Sequence, residues 1–299
     1  MKTKIWIQAF RLRTLPLALS SVALGSFVAY YDGAFNPKVA ILAGLTTLFL
    51  QILSNLANDY GDFIHGVDND GRTGPRRAVQ SGMITPLAMK AAVLIFIGLS
   101  LFTGLWLIYE GLKGQAISVN MLFLILGLGA IAAAVRYTIG KNPYGYSGLG
   151  DLFVFLFFGL AGVMGTYYLH AHTLNWEILL PAAAMGFLAT GVLNLNNMRD
   201  RENDRQSGKY TLVVRMGIEK ARWYHLFLLM GSVAAGLAYM IINYHSPFQM
   251  LFLITIPLLW LNISGVFHNR IPEELDPYLR KLALASLLFS LSFGIGLIF

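Results

Sequence analysis

Two stretches of the chain, Asn55–Asp68 and Asn196–Asp204, concentrate side chains suited to binding hard cations. The first runs Asn55-Leu-Ala-Asn58-Asp59-Tyr-Gly-Asp62 and on through His65 to Asp68; the second runs Asn196-Asn197-Met-Arg199-Asp200-Arg-Glu-Asn-Asp204. On a helix, Asn55, Asp59 and Asp62 are spaced by four and three and share one face, with Asn58 at its edge. Asn196, Asp200 and Asp204, spaced by four, do the same, with Asn197 alongside. Stacked carboxylates repel one another, so a helix has no structural reason to align them unless cations neutralise the row. The chain has no cysteine and no clustered histidine, and such oxygen-only ligand sets point to Mg²⁺ rather than zinc. Magnesium takes one or two carboxylates and fills its shell with water and phosphate oxygens. With Asp59, Asp62, Asp200 and Asp204 as metal ligands, two facing clusters could hold a diphosphate through a layer of Mg²⁺ ions.

The basic residues suit that chemistry. Arg72, Arg76 and Arg77 follow the first cluster, Arg199, Arg205 and Lys209 surround the second, and Lys141 adds a cation between them in sequence. Such groups can neutralise charge developing on a leaving diphosphate. Any one of these charges could equally be a solvated helix end. Two clusters with matching helical-face spacing and flanking asparagines are harder to explain that way, and charge reaching into a spanning helix is usually functional.

The elements that must position these residues are membrane helices. The 299 residues are 56% hydrophobic and only 12% charged, against about 25% charged in soluble proteins. The apolar runs approach the ~20 residues needed to cross ~30 Å of hydrocarbon. Reading them between breakers gives nine spans, near 14–31, 38–58, 87–109, 118–137, 151–171, 176–195, 223–243, 247–267 and 281–299. The expected fold is therefore all-α, a polytopic bundle of nine transmembrane helices forming a single domain over residues 1–299. The basic N-terminus with the apolar run 15–31 reads as a first span rather than a cleaved signal. Of the 22 Lys and Arg, 20 lie in the N-terminus and connections 2–3, 4–5, 6–7 and 8–9, with only Lys38 and Lys113 on the other side. By the positive-inside rule the N-terminus and both clusters are cytoplasmic. That distribution makes the net charge of +7 a matter of topology, not a sign of nucleic acid as partner.

These residues also carry a family resemblance. Asn58-Asp59-x-x-Asp62 with Asp68, followed by Arg72-Thr-Gly-Pro-Arg76, and Asp200-x-x-x-Asp204 resemble the paired Asp-rich motifs of the UbiA superfamily of intramembrane aromatic prenyltransferases. The resemblance extends along the whole chain. Within the superfamily, the stretches Arg13-Thr-Leu-Pro, Gln51–Asp62, Tyr144–Asp151, Asn194–Asp204 and Gly208–Arg215 are most similar to the branch whose acceptor is 1,4-dihydroxy-2-naphthoate. Two departures stand out: Asp151 where that pattern has Glu, and Lys141-Asn142 where it has a small turn.

The resemblance implies a Mg²⁺-dependent enzyme of a bacterial cytoplasmic membrane. It would use a polyprenyl diphosphate to alkylate dihydroxynaphthoate, with loss of CO₂ and diphosphate, giving demethylmenaquinone for menaquinone biosynthesis. Asp59, Asp62, Asp200, Asp204 and Lys141 would be catalytic. Asn55, Asn58, Asp68, Arg72, Arg76, Asn196, Asn197, Arg199 and Lys209 would bind substrate. Arg13 could meet the aromatic carboxylate, or be an ordinary anchor at the first span. Tyr137, Tyr144 and Tyr146 could line the aromatic site or shield an allylic cation. Asp151 could orient an acceptor hydroxyl or cap a helix. His65 reads as a loop residue, and His170 and His172 fall on the opposite side of the membrane. Other readings remain open: a superfamily member acting on 4-hydroxybenzoate, homogentisate, heme or a lipid acceptor, or a cation-coupled transporter. A transporter would place its acidic groups nearer the bilayer midplane.

Overall fold

A computed structural model describes residues 2–68 and 77–299. Arg72 and Arg76, both expected to bind substrate, lie outside the described residues. Every regular element among the described residues is a helix, and nine of these helices are long and apolar enough to cross a membrane. In order, α1 is Leu15–Tyr31, α2 Pro37–Ile64, α3 Pro86–Gly111, α4 Ile117–Arg136 and α5 Gly150–Ala171. They are followed by α6 Leu179–Gln206, α7 Ile218–Ile242, α8 Pro247–His268 and α9 Asp276–Ile298.

Local sequence sets the helix starts. Pro37 and Pro86 occupy first helical positions, where the missing N–H would have had no partner anyway. Before them, Asn36 accepts from Lys38 N at 3.0 Å and Thr85 from Ala88 N at 3.2 Å, each capping an orphan donor. Ser246 and Gln249 form a reciprocal capping box at the start of α8. Glycine permits the closest helix contacts. A Cβ on Gly25 of α1 would sit 2.5 Å from Val163 O, and one on Gly159 would sit 2.7 Å from Ala182 O. These positions bring α5 hard against α1 and α6, as small residues do in membrane bundles. Between them Phe155–Gly165 of α5 winds as a π-helix.

The main departure from the expected spans is length. The second and sixth spans were expected over 38–58 and 176–195, yet α2 and α6 run on through the acidic clusters, each for 28 residues. At 1.5 Å per residue each is about 42 Å long, well beyond a hydrocarbon core of ~30 Å. The carboxylates therefore ride on the last turns of helices that project past the apolar layer. Hydropathy ends where polar residues begin, whereas the helix continues because those residues face inward onto charged partners. α6 is the hub of the bundle, packed on α5, α7 and α9, while α4 lies outermost against α2 and α3 with only Ala133 buried.

Candidate active site

Both clusters present one helical face to a shared polar centre. On α2, Asn55, Asp59 and Asp62 are buried, and Asn58 is half-buried at the edge. The helix stops at Ile64, where the chain turns through Gly66 at φ +70°, a conformation that favours glycine. This turn delivers Asp68 back to the same centre, also buried. On α6, Asn197, Asp200 and Asp204 are buried, with Asn196 half-buried. The Asn203 side-chain amide donates to Val67 O at 2.9 Å and fixes the two helix ends together, while Thr138 Oγ1, just after α4, donates to Ala57 O of α2 at 2.9 Å.

Charge pairing inside the centre is dense. Arg77 Nη1 lies 2.6 Å from Asp62 Oδ2 and 3.1 Å from Asp68 Oδ2, and donates to Asn58 O at 2.6 Å. Lys209 Nζ bridges the clusters, 3.6 Å from Asp204 Oδ1 and 3.9 Å from Asp62 Oδ2. Burial opposes both charges, but the surrounding carboxylates outweigh it: Asp62 and Asp68 lead in raising the Arg77 pKa, and Asp204 and Asp62 do so for Lys209. Tyr146 donates to Asp62 Oδ1 at 2.6 Å, and its ring lies under the Lys209 ammonium, 5.4 Å from centroid to Nζ. Its hydroxyl pKa is pushed up by burial and then by Asp62. Arg199 grips Asp200 with two hydrogen bonds of 2.7 and 2.9 Å, reaches Asn196 Oδ1 at 2.9 Å, and pairs with Asp276.

Asp59 plays a different part. Its two oxygens accept from the backbone N–H groups of Ala78 and Val79 at 3.2 and 3.4 Å, so it holds down the segment that presents Arg77. Among the described residues no three His, Asp or Glu side chains converge on a metal position. Arg77 and Lys209 stand among the carboxylates instead. The donor set still suits Mg²⁺, which needs only one or two carboxylates with phosphate oxygens. Asp204 Oδ2 and Asn197 Oδ1 are buried with no hydrogen-bond partner among the described residues, and buried oxygens of this kind suit a cation.

Beneath the centre lies a cavity of about 420 Å³ that runs between α1, α2, α3, α4, α5 and α6. Its polar end includes Asn55, Asn58, Asp62, Arg77, Asn196 and Lys209; its shaft is apolar, with Leu105, Ile108, Leu128 and Phe157 in its wall. Tyr137 and Tyr144 line it as well, edge to face at 5.3 Å. Burial, and then the neighbouring Tyr137, raise the Tyr144 hydroxyl pKa.

Several expected residues lie elsewhere. Lys141 sits on an exposed turn and does not line the cavity. Arg13 points outward to Asp276 at 3.3 Å, and Arg11 takes the cavity-lining position instead. Arg11 adopts φ +50°, rare for a non-glycine residue, and no sequence pattern announces that turn. Beside it, Thr14 Oγ1 accepts from Asn55 at 3.0 Å and Gln51 at 3.2 Å, a polar knot that side-chain types alone did not single out. Asp151 is buried in the first turn of α5 near Tyr224, outside the cavity lining. His65 caps α2 and binds Gly140 O at 2.9 Å, while His170 and His172 hold Ser26, Asn36 and Gly111 at the far end.

A polar, carboxylate-lined centre over an apolar shaft, borne on described helices of which nine can cross a membrane, is the architecture of an intramembrane enzyme. Residues 18–292 match the UbiA prenyltransferase family, and the chain belongs to it. It is 45% identical over 99% of its length to 1,4-dihydroxy-2-naphthoate octaprenyltransferase of Escherichia coli (strain K12), covering 96% of that protein. In structure it resembles a UbiA homolog from Aeropyrum pernix K1 (TM-score 0.70, 19% identity, 96% and 98% of the two chains). It also resembles a UbiA homolog from Archaeoglobus fulgidus bound to DMAPP and Mg²⁺ (TM-score 0.61, 21% identity, 96% and 98%). These likenesses extend over the whole bundle. The protein is therefore an integral membrane prenyltransferase.

Proposed function

We propose that the protein transfers a polyprenyl group from polyprenyl diphosphate to 1,4-dihydroxy-2-naphthoate. The observation that carries this reading is the bridge of Lys209 between Asp62 and Asp204 at the mouth of an apolar shaft, taken with the acceptor in the name of the E. coli relative. The diphosphate would sit at the polar centre and the prenyl tail in the shaft, whose lining is apolar like the bilayer. Residues 1–299 would act as one domain, with the clusters on the cytoplasmic side of a bacterial inner membrane, where 20 of the 22 Lys and Arg lie.

Asp62, Asp204 and Asp200 would hold Mg²⁺, which draws negative charge onto the leaving group when bound. Asp59, expected from sequence as a fourth ligand, spends its oxygens on the Ala78 and Val79 amides and anchors the segment that presents Arg77. Lys209 and Arg77 would add positive charge on the same side of the breaking allylic C–O bond. Tyr137 and Tyr144 would shield the allylic cation with their ring faces and keep water from it. The electron-rich ring carbon bearing the carboxylate then forms the new C–C bond, and CO₂ leaves from that carbon. The ring retains its electrons, so the immediate product is the hydroquinone form of demethylmenaquinone. Arg11, at the polar end of the cavity, would meet the acceptor carboxylate.

The reading is tested with the purified full-length protein, Mg²⁺, a polyprenyl diphosphate and either acceptor. Release of CO₂ and diphosphate with dihydroxynaphthoate is expected. Turnover of 4-hydroxybenzoate without turnover of dihydroxynaphthoate would sink the acceptor assignment.

A further inference from the structure

A second cavity, of about 250 Å³, opens at the same end of the bundle as the acidic clusters but on the other side of α6. Its charged wall is made by Arg201 on the last turns of α6, Arg222 near the start of α7 and Arg270 just beyond α8. Apolar groups complete it, among them Met198, Ile218 and Ile271. None of the basic residues in this cavity lines the prenyl shaft.

The charge balance of this cavity is positive. Two carboxylates line it, and each is already engaged: Glu219 with Arg222 at 2.7 Å and Glu202 with the exposed Arg205 at 2.9 Å. Arg222 is held rigidly, buried to 6% exposure, with its second nitrogen on Asn269 O at 3.1 Å. Arg201 and Arg270 form no salt bridge with a carboxylate among the described residues, although Glu202 lies near Arg201, and the Arg201 Nε–H is buried with no acceptor there. A buried, unspent guanidinium N–H is costly unless an acceptor meets it. Guanidinium groups favour phosphate oxygens, which they can bind in a bidentate manner.

We propose that this cavity binds a phosphate-type anion, and specifically the phosphodiester headgroup of an anionic membrane lipid. The mixture of arginines with Ile218, Ile271 and Met198 favours a lipid over a free anion, because a headgroup brings apolar chain with it. Basic pockets between helix ends on the cytoplasmic face are suited to such headgroups. The bound lipid would tie the end of α6, which carries Asp200 and Asp204, to α7 and the 269–275 connection. This assignment does not depend on the prenyl-transfer reading.

The test uses full-length protein in phosphatidylcholine nanodiscs carrying graded phosphatidylglycerol, read by native mass spectrometry and by thermal midpoint. The wild type should retain phosphatidylglycerol and gain stability with its mole fraction. The Arg201→Gln/Arg270→Gln double variant should retain at least about tenfold less, the loss expected from removing over 1.4 kcal/mol of binding. Lys220→Gln/Arg280→Gln removes the same charge from exposed positions at the same end and should keep wild-type retention. Equal retention by the two double variants overturns the proposal. Inorganic phosphate in pure phosphatidylcholine nanodiscs forms the last arm. If it alone stabilises the wild type, with no selective phosphatidylglycerol retention, the lipid assignment is overturned in favour of a soluble anion. Should the double variant fail to fold, Arg270→Gln, at an exposed position, carries the same test.

Discussion

Replacing Lys209 with Gln removes the one described cation that touches both acidic clusters. At an effective dielectric of ~20, each of its pairs, at 3.6 and 3.9 Å, is worth about 4 kcal/mol of gross attraction. Desolvation of a buried ammonium offsets much of that, so the net stabilisation of the pairing is small. Removing one partner is another matter: Asp62 keeps Arg77 at 2.6 Å, but Asp204 is left as a buried carboxylate without its cation, at a cost of about 3–5 kcal/mol. In turnover, loss of a preorganised positive group beside the leaving diphosphate should lower kcat by about 10²–10³. Lys209→Gln should thus be less stable than wild type without ligand. It should also regain more stability than wild type on adding Mg²⁺, because a divalent cation can take over the vacated charge. Lys209→Arg, which keeps the charge, should stay within about tenfold of wild type in kcat, a difference near 1.4 kcal/mol. Diphosphate release, measured with the acceptor saturating, reads kcat; a thermal melt across a Mg²⁺ titration reads the compensation. A Gln variant that turns over at the wild-type rate and melts with wild-type Mg²⁺ dependence would refute the bridging role.

Arg11→Gln should raise the KM for the aromatic acceptor with little change in kcat, while Arg13→Gln should leave it near wild type; steady-state kinetics in each variant separates the two arginines. Asp59→Ala should release the backbone amides of Ala78 and Val79, seen as faster hydrogen exchange there, and should reduce turnover by displacing Arg77. Gly61→Ala should destabilise the fold by about 1–3 kcal/mol, read in a denaturation melt, because its Cβ would sit 2.8 Å from the Thr138 backbone carbonyl carbon. The chain has no cysteine, so a single Ser147→Cys should react with an impermeant thiol reagent only from the cytoplasmic side. Thr173→Cys should react only from the other side. The reverse pattern would invert the proposed orientation.

The periodicity of Asn55, Asp59 and Asp62, and of Asn196, Asp200 and Asp204, was enough to place six side chains on two inward faces, because helical geometry turns spacing directly into direction. The nine spans were legible for a related reason: in hydrocarbon every backbone group must be satisfied within the helix, so long apolar runs have little choice of structure. Legibility failed where side chains choose among partners. Arg11 and Arg13 are two residues apart with the same charge, and only the left-handed turn at Arg11 decides which one faces the cavity. Lys141 and Lys209 looked equally available in sequence. Lys209 is carried inward by the segment after α6, whose Tyr210 N–H donates to Tyr146 O at 3.0 Å, whereas Lys141 is left on an exposed turn. Nothing in the types of residues around Asp59 showed that its oxygens would meet backbone amides 19 and 20 residues away.

The charge balance of the centre leads to one more expectation. Its described carboxylates are Asp59, Asp62, Asp68, Asp200 and Asp204; its described cations are Arg77, Arg199 and Lys209. Among these described residues, three cations meet five carboxylates. A polyanionic diphosphate entering a buried centre with that balance would be repelled, since like charges in a low-dielectric site interact strongly. Binding therefore requires divalent cations to arrive before or with the diphosphate, rather than merely to speed the chemistry afterwards. Calorimetric titration with inorganic diphosphate should show no detectable binding in EDTA and clear binding in Mg²⁺. Asp204→Asn should shift that dependence, because it removes both a carboxylate and the buried oxygen that lacks a partner among the described residues. Equal diphosphate affinity with and without Mg²⁺ would mean that arginine and lysine alone hold the anion, and the carboxylate faces would then need a different explanation.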